Sequence, residues 1–441
     1  MKQILVLGAG RSSIQLIHYL LSQAEEKQWR IVVADMNISL AQSILNNSAF
    51  GLAVELDVHN VKTLEQFVID SELVVSLLPP FLHEQVARIC INLRKNLITA
   101  SYVSDEMQKL KPQAEVAGIT ILMECGLDPG IDHMSAMQVI DDIKKKGGKI
   151  VAFESFAGGL LAPESELNNP WQYKFTWNPS NVIGAGRGTV KFLQEGKYKY
   201  IPYQRLFRRT EIIQLPHFGY FEGYGNRDSL KYRSIYGLED IRTIYRGTLR
   251  RPGFCKSWDT FVQLGATENN YEVEGVEDMT HRDFINSFLF YNPHDSVELK
   301  LAHYMNLEID GQEMFKLKWL GLFDREKIGL EQGTPAQILE HILKKKWTMT
   351  PTEKDMIVMY HKFEYELNGK KERKNKYSVI LGEADEKTAM SKTVGLPLGI
   401  AAKLILEKKI ERKGVIIPTT PDIYNPVLKE LEAYGIHFLD N

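Results

Sequence analysis

The sequence predicts an α/β protein. A Rossmann-type, doubly wound parallel sheet is joined to an α+β domain that carries a helical insertion. Three observations predict this. Apolar runs suited to buried parallel strands recur at residues 4–7, 31–34, 73–78, 97–100 and 119–123. The first run leads directly into Gly8-Ala9-Gly10-Arg11-Ser12-Ser13, and then Ile14, Leu16, Ile17, Leu20 and Leu21 follow at near-helical spacing. Beyond Gly130 the pattern changes to short alternating runs, aromatics and glycine turns over residues 149–253, as expected of an antiparallel sheet with one covered face.

The order strand, glycine turn, helix, strand, acid is that of a dinucleotide-binding unit. Gly8 permits the tight turn, and Gly10 lets the backbone approach a pyrophosphate at the amino end of the following helix. Ser13 stands where a third glycine is usual and is small enough for close helix–strand packing. Asp35 closes the second apolar run 22 positions after Ser13, near the spacing of about 20 expected for the ribose-binding acid. A carboxylate there accepts hydrogen bonds from ribose hydroxyls and repels a 2′-phosphate. No arginine follows at once to receive one, so NAD is favoured over NADP. Arg11, within the glycine loop, is the residue able to reach a phosphate instead.

Ligands of open α/β sheets gather at the carboxyl ends of the strands. Asp35, Asp57, Leu78, Ser101, Tyr102 and Asp128 are therefore expected to face one crevice. Taken singly, each also suits an ordinary turn.

Composition bounds the rest. The 441 residues are 44% hydrophobic and 25% charged, enough for two or three domains at roughly 150 residues each. Lys plus Arg total 54 and Asp plus Glu 56, a net charge of −2. This argues against a nucleic-acid partner held by charge. The densest basic stretch, residues 370–376, is broken by Glu372 and reads as a solvated loop. Cys90, Cys125 and Cys255 are odd in number and widely spaced, which gives neither a disulfide framework nor a metal-ligand motif. A reducing cytoplasm is the expected home. No apolar run is read as approaching the ~18 residues of a membrane span, and the first residues lack the pattern of an export signal.

Helical spacing dominates residues 278–347, where Thr334-Pro335 offers a cap followed by proline in the first turn. Residues 350–355 read as the start of another helix. Residues 360–367 and 377–381 read as strands joined by the charged loop. Residues 388–406 read as a helix interrupted at Gly395-Leu396-Pro397, with Gly399, Ala401 and Ala402 small enough for close packing. The expected layout is a dinucleotide domain of residues 1–127 with 390–441. A second domain spans residues 128–389, with its helical part near 278–355.

Several longer strings carry a resemblance. They are Leu127-Asp-Pro-Gly-Ile-Asp-His133, Gly158-Gly159, Ala162-Pro-Glu164, Asn169-Pro-Trp-Gln-Tyr-Lys-Phe-Thr-Trp177, Asn226-Arg-Asp-Ser229 and Gly247-Thr-Leu-Arg250. With the glycine turn, they make most of the chain resemble the saccharopine dehydrogenase family of the L-glutamate-forming type, also called saccharopine reductase. The resemblance implies that a nicotinamide cofactor, NAD or NADP, takes hydride from the carbon beside the secondary amine of saccharopine. Hydrolysis of the imine then gives L-glutamate and 2-aminoadipate 6-semialdehyde, or the reverse, in lysine metabolism.

Residue by residue, the resemblance places cofactor contacts on Gly8, Ala9, Gly10, Arg11, Ser12, Asp57, Val58, Leu78, Ala100, Ser101, Leu127, Asp128, Pro129 and Asn178, beside the Asp35 read above. It places saccharopine contacts on Ser101, Tyr102, Asp128, Arg227, Thr248, Leu249 and Arg250. Three substrate carboxylates call for guanidinium forks, which Arg227 and Arg250 supply; Lys174 is a weaker candidate. Asp128 and Tyr102 are the candidate acid/base pair, their alternative being substrate orientation with a water shuttling protons. His133 is expected to cap or pack a helix start. The family also implies a homodimer built through the middle sheet, and a final segment, residues 414–418, returned to the dinucleotide domain.

Three departures limit the transfer. Ala157 stands where a cysteine is common, so no mechanism through that thiol carries over. The basic residue often found after the second strand in NADP-using members is absent. An arginine that often follows the Tyr-Lys-Phe string is missing from residues 177–181. The competing readings are a related amine dehydrogenase, resembling carboxynorspermidine dehydrogenase, and a noncatalytic nucleotide-binding regulator.

Overall fold

The computed structural model describes residues 1–385 and 387–441. The chain divides into two compact units: residues 1–150, 365–371 and 378–439 form the first, and residues 151–364, 372–377 and 440–441 the second.

The first unit is built on strands β1 (Lys2–Leu7), β2 (Trp29–Asp35), β3 (Gly51–Glu55), β4 (Leu73–Ser76), β5 (Asn96–Thr99) and β6 (Thr120–Leu122), with a C-terminal strand Gly414–Ile416. The order across the sheet is the C-terminal strand, β6, β5, β4, β1, β2, β3, and every pair is parallel. Ile4, Leu5, Val6, Leu7, Leu73, Val74 and Val75 are wholly buried. Continuous apolar runs are what a parallel sheet covered on both faces requires. The order reverses between β1 and β4, and the crevice at such a reversal is where dinucleotide folds bind their ligand. Gly414 pairs with Thr120 and Val415 with Ile121, so the last segment returns to this sheet as expected.

Helix α1 (Ile14–Lys27) buries Leu16, Ile17, Leu20 and Ala24. Helix Ala389–Leu406 packs against it and runs unbroken through Pro397. The expected interruption is absent because Gly395 serves packing instead. A Cβ added there would meet the Leu16 backbone nitrogen at 2.6 Å and the Ser12 carbonyl oxygen at 3.2 Å. This helix also corrects the reading that no run reaches membrane-span length. Its 18 residues have a mean hydropathy of 1.3, and 83% of them are buried inside the protein, as befits a core helix.

The second sheet, most of whose residues belong to the second unit, holds strands β7 (Lys149–Leu161), β8 (Val190–Gln194), β9 (Lys197–Ile201), β10 (Thr210–Leu215), β11 (Gly219–Gly225), β12 (Thr243–Arg250), β13 (Asp355–Leu367) and β14 (Lys370–Leu381). The main path is β10, β11, β12, β7, β13, β14. The sheet is mixed rather than antiparallel. The chain between β7 and β12 crosses back to its starting end, so these two strands pair in parallel.

Two further expectations change. Residues 350–354 form a turn, not a helix start. The Glu353 carboxylate accepts the Thr350 N–H at 2.7 Å as a cap would, but the buried run Met356, Ile357, Val358 and Met359 continues as a strand. The charged residues 370–376 lie within β14 rather than in a loop. The turn is two residues earlier, at Asn368 (φ +51°) and Gly369 (φ +75°), the left-handed pair that a tight hairpin favours. The helical part follows expectation, with helices His281–Ser287, Val297–Met305, Gln312–Trp319 and Pro335–Trp347. Thr334 and Gln337 close a capping box at the start of the last.

The helix-on-helix contact at Gly395 is testable. Gly395→Ala forces a methyl onto backbone rather than onto a flexible side chain. It should cost about 1–3 kcal/mol, read as a lower midpoint in urea unfolding; an unchanged midpoint would contradict the close approach.

Candidate functional site: the carboxyl-end crevice and a buried arginine

In the first unit, Gly8 turns the chain at φ +99°, where a Cβ would press on the Leu77 carbonyl oxygen at 3.3 Å. The Ala9 N–H donates to Asp35 Oδ2 at 2.7 Å, and the Asn37 N–H donates to Oδ1 at 2.8 Å. Asp35 thus stands at the end of β2 as read, and it also braces the glycine turn. Gly10 faces open space, with no protein atom within 4 Å of an added Cβ. Arg11 is exposed and Ser12 half-buried. Ser13 is buried and donates its hydroxyl to the Gly10 carbonyl at 2.7 Å. No side chain caps the short turn Arg11–Ser13 or the start of α1. An open glycine before an uncapped helix start fits a pyrophosphate. Asp57 is exposed and holds the His59 N–H at 2.9 Å. Val58 is buried, and Leu78 is packed on the core.

A second group lies where β5 and β6 end. Ala100, Ser101 and Tyr102 follow β5, and Leu127, Asp128 and Pro129 form the turn after β6. The Tyr102 hydroxyl donates to Asp128 Oδ1 at 2.7 Å. The turn is fixed by Gly126 N–H to the Pro129 carbonyl at 2.9 Å and Ile131 N–H to the Gly126 carbonyl at 2.8 Å. Ser101, Tyr102 and Asp128 are therefore brought together, as the sequence suggested.

Two buried residues of this group escaped the sequence reading. Glu124 is 2% exposed. It accepts the Val103 N–H at 2.9 Å and lies 2.8 Å from His133 Nε2, while its own N–H donates to the Ser101 carbonyl at 3.1 Å. His133 therefore packs within the first turn of helix Ile131–Lys145 rather than capping it. His83 opens helix His83–Leu93. Its Nδ1 lies 3.0 Å from Ser76 Oγ, and its Nε2 lies 2.7 Å from Ser101 Oγ and 3.2 Å from Thr99 Oγ1. Burial pulls its pKa down from 6.5 to about 4, so the ring is neutral near pH 7. Neither residue belongs to a local motif; only the ladder alignment of strand ends reveals them.

In the second unit, Arg250 lies in β12 and is 5% exposed. Its guanidinium stacks over Tyr173 at 4.8 Å and Phe254 at 5.4 Å. Nη1 donates to the Leu249 carbonyl at 2.8 Å, while Nε is buried without a partner, as are the Tyr173 hydroxyl, Thr176 Oγ1 and Trp347 Nε1. Burial raises the Tyr173 pKa, so the hydroxyl keeps its proton. Among the described residues no carboxylate pairs with Arg250. A guanidinium removed from water without a counter-ion is costly, and a bound anion would offset that cost.

The other predicted contacts of this unit are placed differently. Arg227 is exposed at φ +55° beyond the end of β11. Glu222 is the register partner of Arg250, and β11 runs three residues further, roughly 10 Å, before ending at Gly225, two residues short of Arg227. Thr248 is half-buried and Leu249 wholly buried, so Leu249 offers a ligand only its main chain. Thr248 pairs with Ala157 in β7. The Asn178 side chain caps the short helix Pro179–Ile183 through the Ser180 N–H at 3.0 Å. Lys174, the weaker carboxylate candidate, is already bound to Glu353 at 2.7 Å.

Strand order, glycine turn and crevice define a Rossmann-type dinucleotide-binding fold. Comparison with known proteins gives the family. Residues 4–122 match the saccharopine dehydrogenase NADP binding domain, and residues 126–436 match the saccharopine dehydrogenase C-terminal domain. The chain belongs to the saccharopine dehydrogenase family. It is 33% identical to alpha-aminoadipic semialdehyde synthase of Arabidopsis thaliana, over 99% of this chain and 44% of that protein. The chain thus spans about half the length of that relative, as it does of the mammalian synthases. It is 31% identical to saccharopine dehydrogenase [NADP(+), L-glutamate-forming] of Saccharomyces cerevisiae, over 99% and 98% of the two chains. The solved apo structure of the Saccharomyces cerevisiae saccharopine dehydrogenase (L-Glu forming) superposes with a TM-score of 0.87 at 29% identity, covering 100% of this chain and 99% of that one.

The neutral imidazole predicts acid sensitivity. As pH falls from 6.5 through about 4, the unfolded chain protonates at His83 and the folded chain does not. Stability is therefore lost over that window, by up to roughly 3 kcal/mol. His83→Gln should lose less between pH 7 and pH 4 in urea unfolding; equal losses would refute a ring held neutral.

Proposed function

We propose that the protein oxidises saccharopine with a nicotinamide dinucleotide, giving L-glutamate and 2-aminoadipate 6-semialdehyde, or runs the reverse reaction. The observation that carries this reading is the buried Arg250 guanidinium, stacked on aromatic rings and lacking any carboxylate of its own. A substrate with three separated carboxylates supplies such a partner, and exposed Arg227 offers a second anchor well along the strand direction.

Gly8, Ala9, Gly10, Arg11 and Ser12 would hold the pyrophosphate, with Asp57, Val58, Leu78, Ala100, Leu127, Pro129 and Asn178 as further cofactor positions. The dinucleotide supplies the hydride acceptor when bound. The residues of this chain manage the protons. Asp128, oriented by the Tyr102 hydroxyl, takes the proton from the secondary amine as hydride leaves the adjacent carbon. The resulting imine carbon is attacked by water, which Asp128 deprotonates after passing its first proton to solvent. Asp128 then returns the water's proton to nitrogen and takes the carbinol hydroxyl proton as the C=O bond forms and the C–N bond breaks, which releases glutamate and the semialdehyde. In the first unit Ser101 would contact the substrate, and in the second unit the resemblance assigns that contact to Thr248 and the Leu249 main chain. No thiol takes part at position 157, which is alanine.

NAD is the favoured form of the cofactor in this reading. Asp35 sits at the end of β2, its two oxygens each keep acceptor capacity beyond one backbone N–H, and no lysine or arginine occurs over residues 31–61. A homodimer and a cytoplasmic location complete the proposal; three buried free thiols suit a reducing compartment.

The decisive experiment offers saccharopine with NAD and with NADP separately and follows formation of the reduced dinucleotide. Reduction of NAD is expected. Reduction of NADP alone would overturn the Asp35 account, and reduction of neither by protein that still binds dinucleotide would favour a related amine dehydrogenase or a regulator. A second prediction separates substrate binding from folding. Arg250→Met should leave apo stability unchanged or raise it, since the unpaired charge is gone. The saccharopine KM should rise at least tenfold, consistent with about 2–5 kcal/mol for a buried charge pair. A destabilised variant with an ordinary KM would refute the carboxylate role.

A further inference from the structure

We infer that His83 is a positioning residue, a buried imidazole that aims the Ser101 hydroxyl into the crevice at the carboxyl ends of β4 and β5. The inference rests on the reading that Ser101 meets a ligand.

The geometry supports it from three sides. First, the three hydroxyls around the ring are the last residues of β4 and β5 and the serine two positions beyond β5. Ser76 and Thr99 are wholly buried, whereas Ser101 is only partly so. The ring therefore links the sheet interior to a group at the crevice. Second, every polar group of Ser101 is held. Its N–H donates to Thr99 Oγ1 at 3.3 Å, its carbonyl accepts the Glu124 N–H at 3.1 Å, and its hydroxyl meets His83 Nε2 at 2.7 Å. A hydroxyl offers one donor and two acceptor sites, so one bond to the ring leaves capacity for a ligand in a set direction. Third, the ring is a neutral hydrogen-bonding group rather than a charge. It lies at the amino end of a helix, where a cation is disfavoured, and burial lowers its pKa.

Ser76 sets the tautomer. Its hydroxyl has His83 Nδ1 as its partner, and a buried hydroxyl proton needs an acceptor. Donation to Nδ1 leaves the ring proton on Nε2, pointing at Ser101. The Ser101 proton is then free for an oxygen acceptor of the ligand, a carboxylate or a carboxamide.

A double-mutant cycle in the full-length protein tests this, with His83→Asn, Ser101→Ala and both together. Two readouts are taken: kcat/KM for saccharopine, and the dissociation constant of reduced dinucleotide by fluorescence titration. His83→Asn keeps an amide near Nδ1 and loses the Nε2 bond. It should lower at least one of the two about tenfold, the scale on which misplaced groups act, and should cost nothing further when Ser101 is already alanine. His83→Gln restores an amide near Nε2 and should recover most of the loss. It also serves if the asparagine variant folds poorly. Losses that multiply in the double variant, or a glutamine variant as impaired as the asparagine one, would overturn the inference. If the wild-type protein does not turn over saccharopine, the functional reading fails by itself, and the cycle is still scored on dinucleotide binding.

Discussion

A parallel sheet buried on both faces leaves its polar side chains one place to go, the ends of its strands. That constraint organises the first unit. The buried runs of β1 (residues 4–7) and β4 (residues 73–75) are wholly apolar, and the groups able to do chemistry appear at the carboxyl ends: Asp35 closing β2, Ser76 and Thr99 closing β4 and β5, Ser101 and Tyr102 beyond β5, and Asp128 beyond β6. Residues nearly a hundred positions apart in sequence thereby share one edge of one sheet. Their mutual hydrogen bonds, Tyr102 to Asp128 and His83 to Ser101, are consequences of strand alignment rather than of any local motif.

The second unit solves a different problem. Its sheet is mixed, and its aromatic residues surround a cation instead of excluding one. Trp171, Tyr173, Phe254 and Trp347 pack with ring centroids 5.0–6.2 Å apart, and Arg250 lies over two of those rings. Ring faces partly compensate a desolvated guanidinium, but they cannot accept its in-plane hydrogen bonds. The cage tolerates the charge without satisfying it. That is a suitable state for a group whose partner arrives from solution.

How much of this was legible beforehand follows from the range of each signal. Five of the seven strands of the first sheet are legible because each is a contiguous apolar run, whereas β3 is only half-buried and gives no such run, and the C-terminal strand is placed by the resemblance alone. The glycine turn and Asp35 were read because their spacing is local. Helix Ala389–Leu406 looks broken at Gly395-Leu396-Pro397, since proline and glycine count as breakers unless a neighbour's backbone needs the room, as Leu16 does here. The charged residues 370–376 look like a loop because composition is all that marks them, while the turn itself lies at Asn368-Gly369 beside them. The family resemblance supplied Arg250 and Asp128 but not what surrounds them. It did not show that Arg250 lacks a counter-ion, that Lys174 is already paired, or that Asn178 spends its side chain on a cap. His83 and Glu124 went unread because their partners lie at the ends of other strands.

The pairing of Gly414 with Thr120, and the seating of Gly395 against the first turn of α1, bear on how the protein comes into being. A ribosome adding about 5–20 residues per second makes β1 and its glycine turn long before it makes the helix that supports them. The nearly 300 residues between β6 and its last sheet partner include almost all of the second unit. The nascent chain therefore holds the dinucleotide half unfinished while the other half lacks only its last two residues. Until residues near 416 emerge, the sheet keeps an open edge at β6, a period in which this half depends on not meeting another chain.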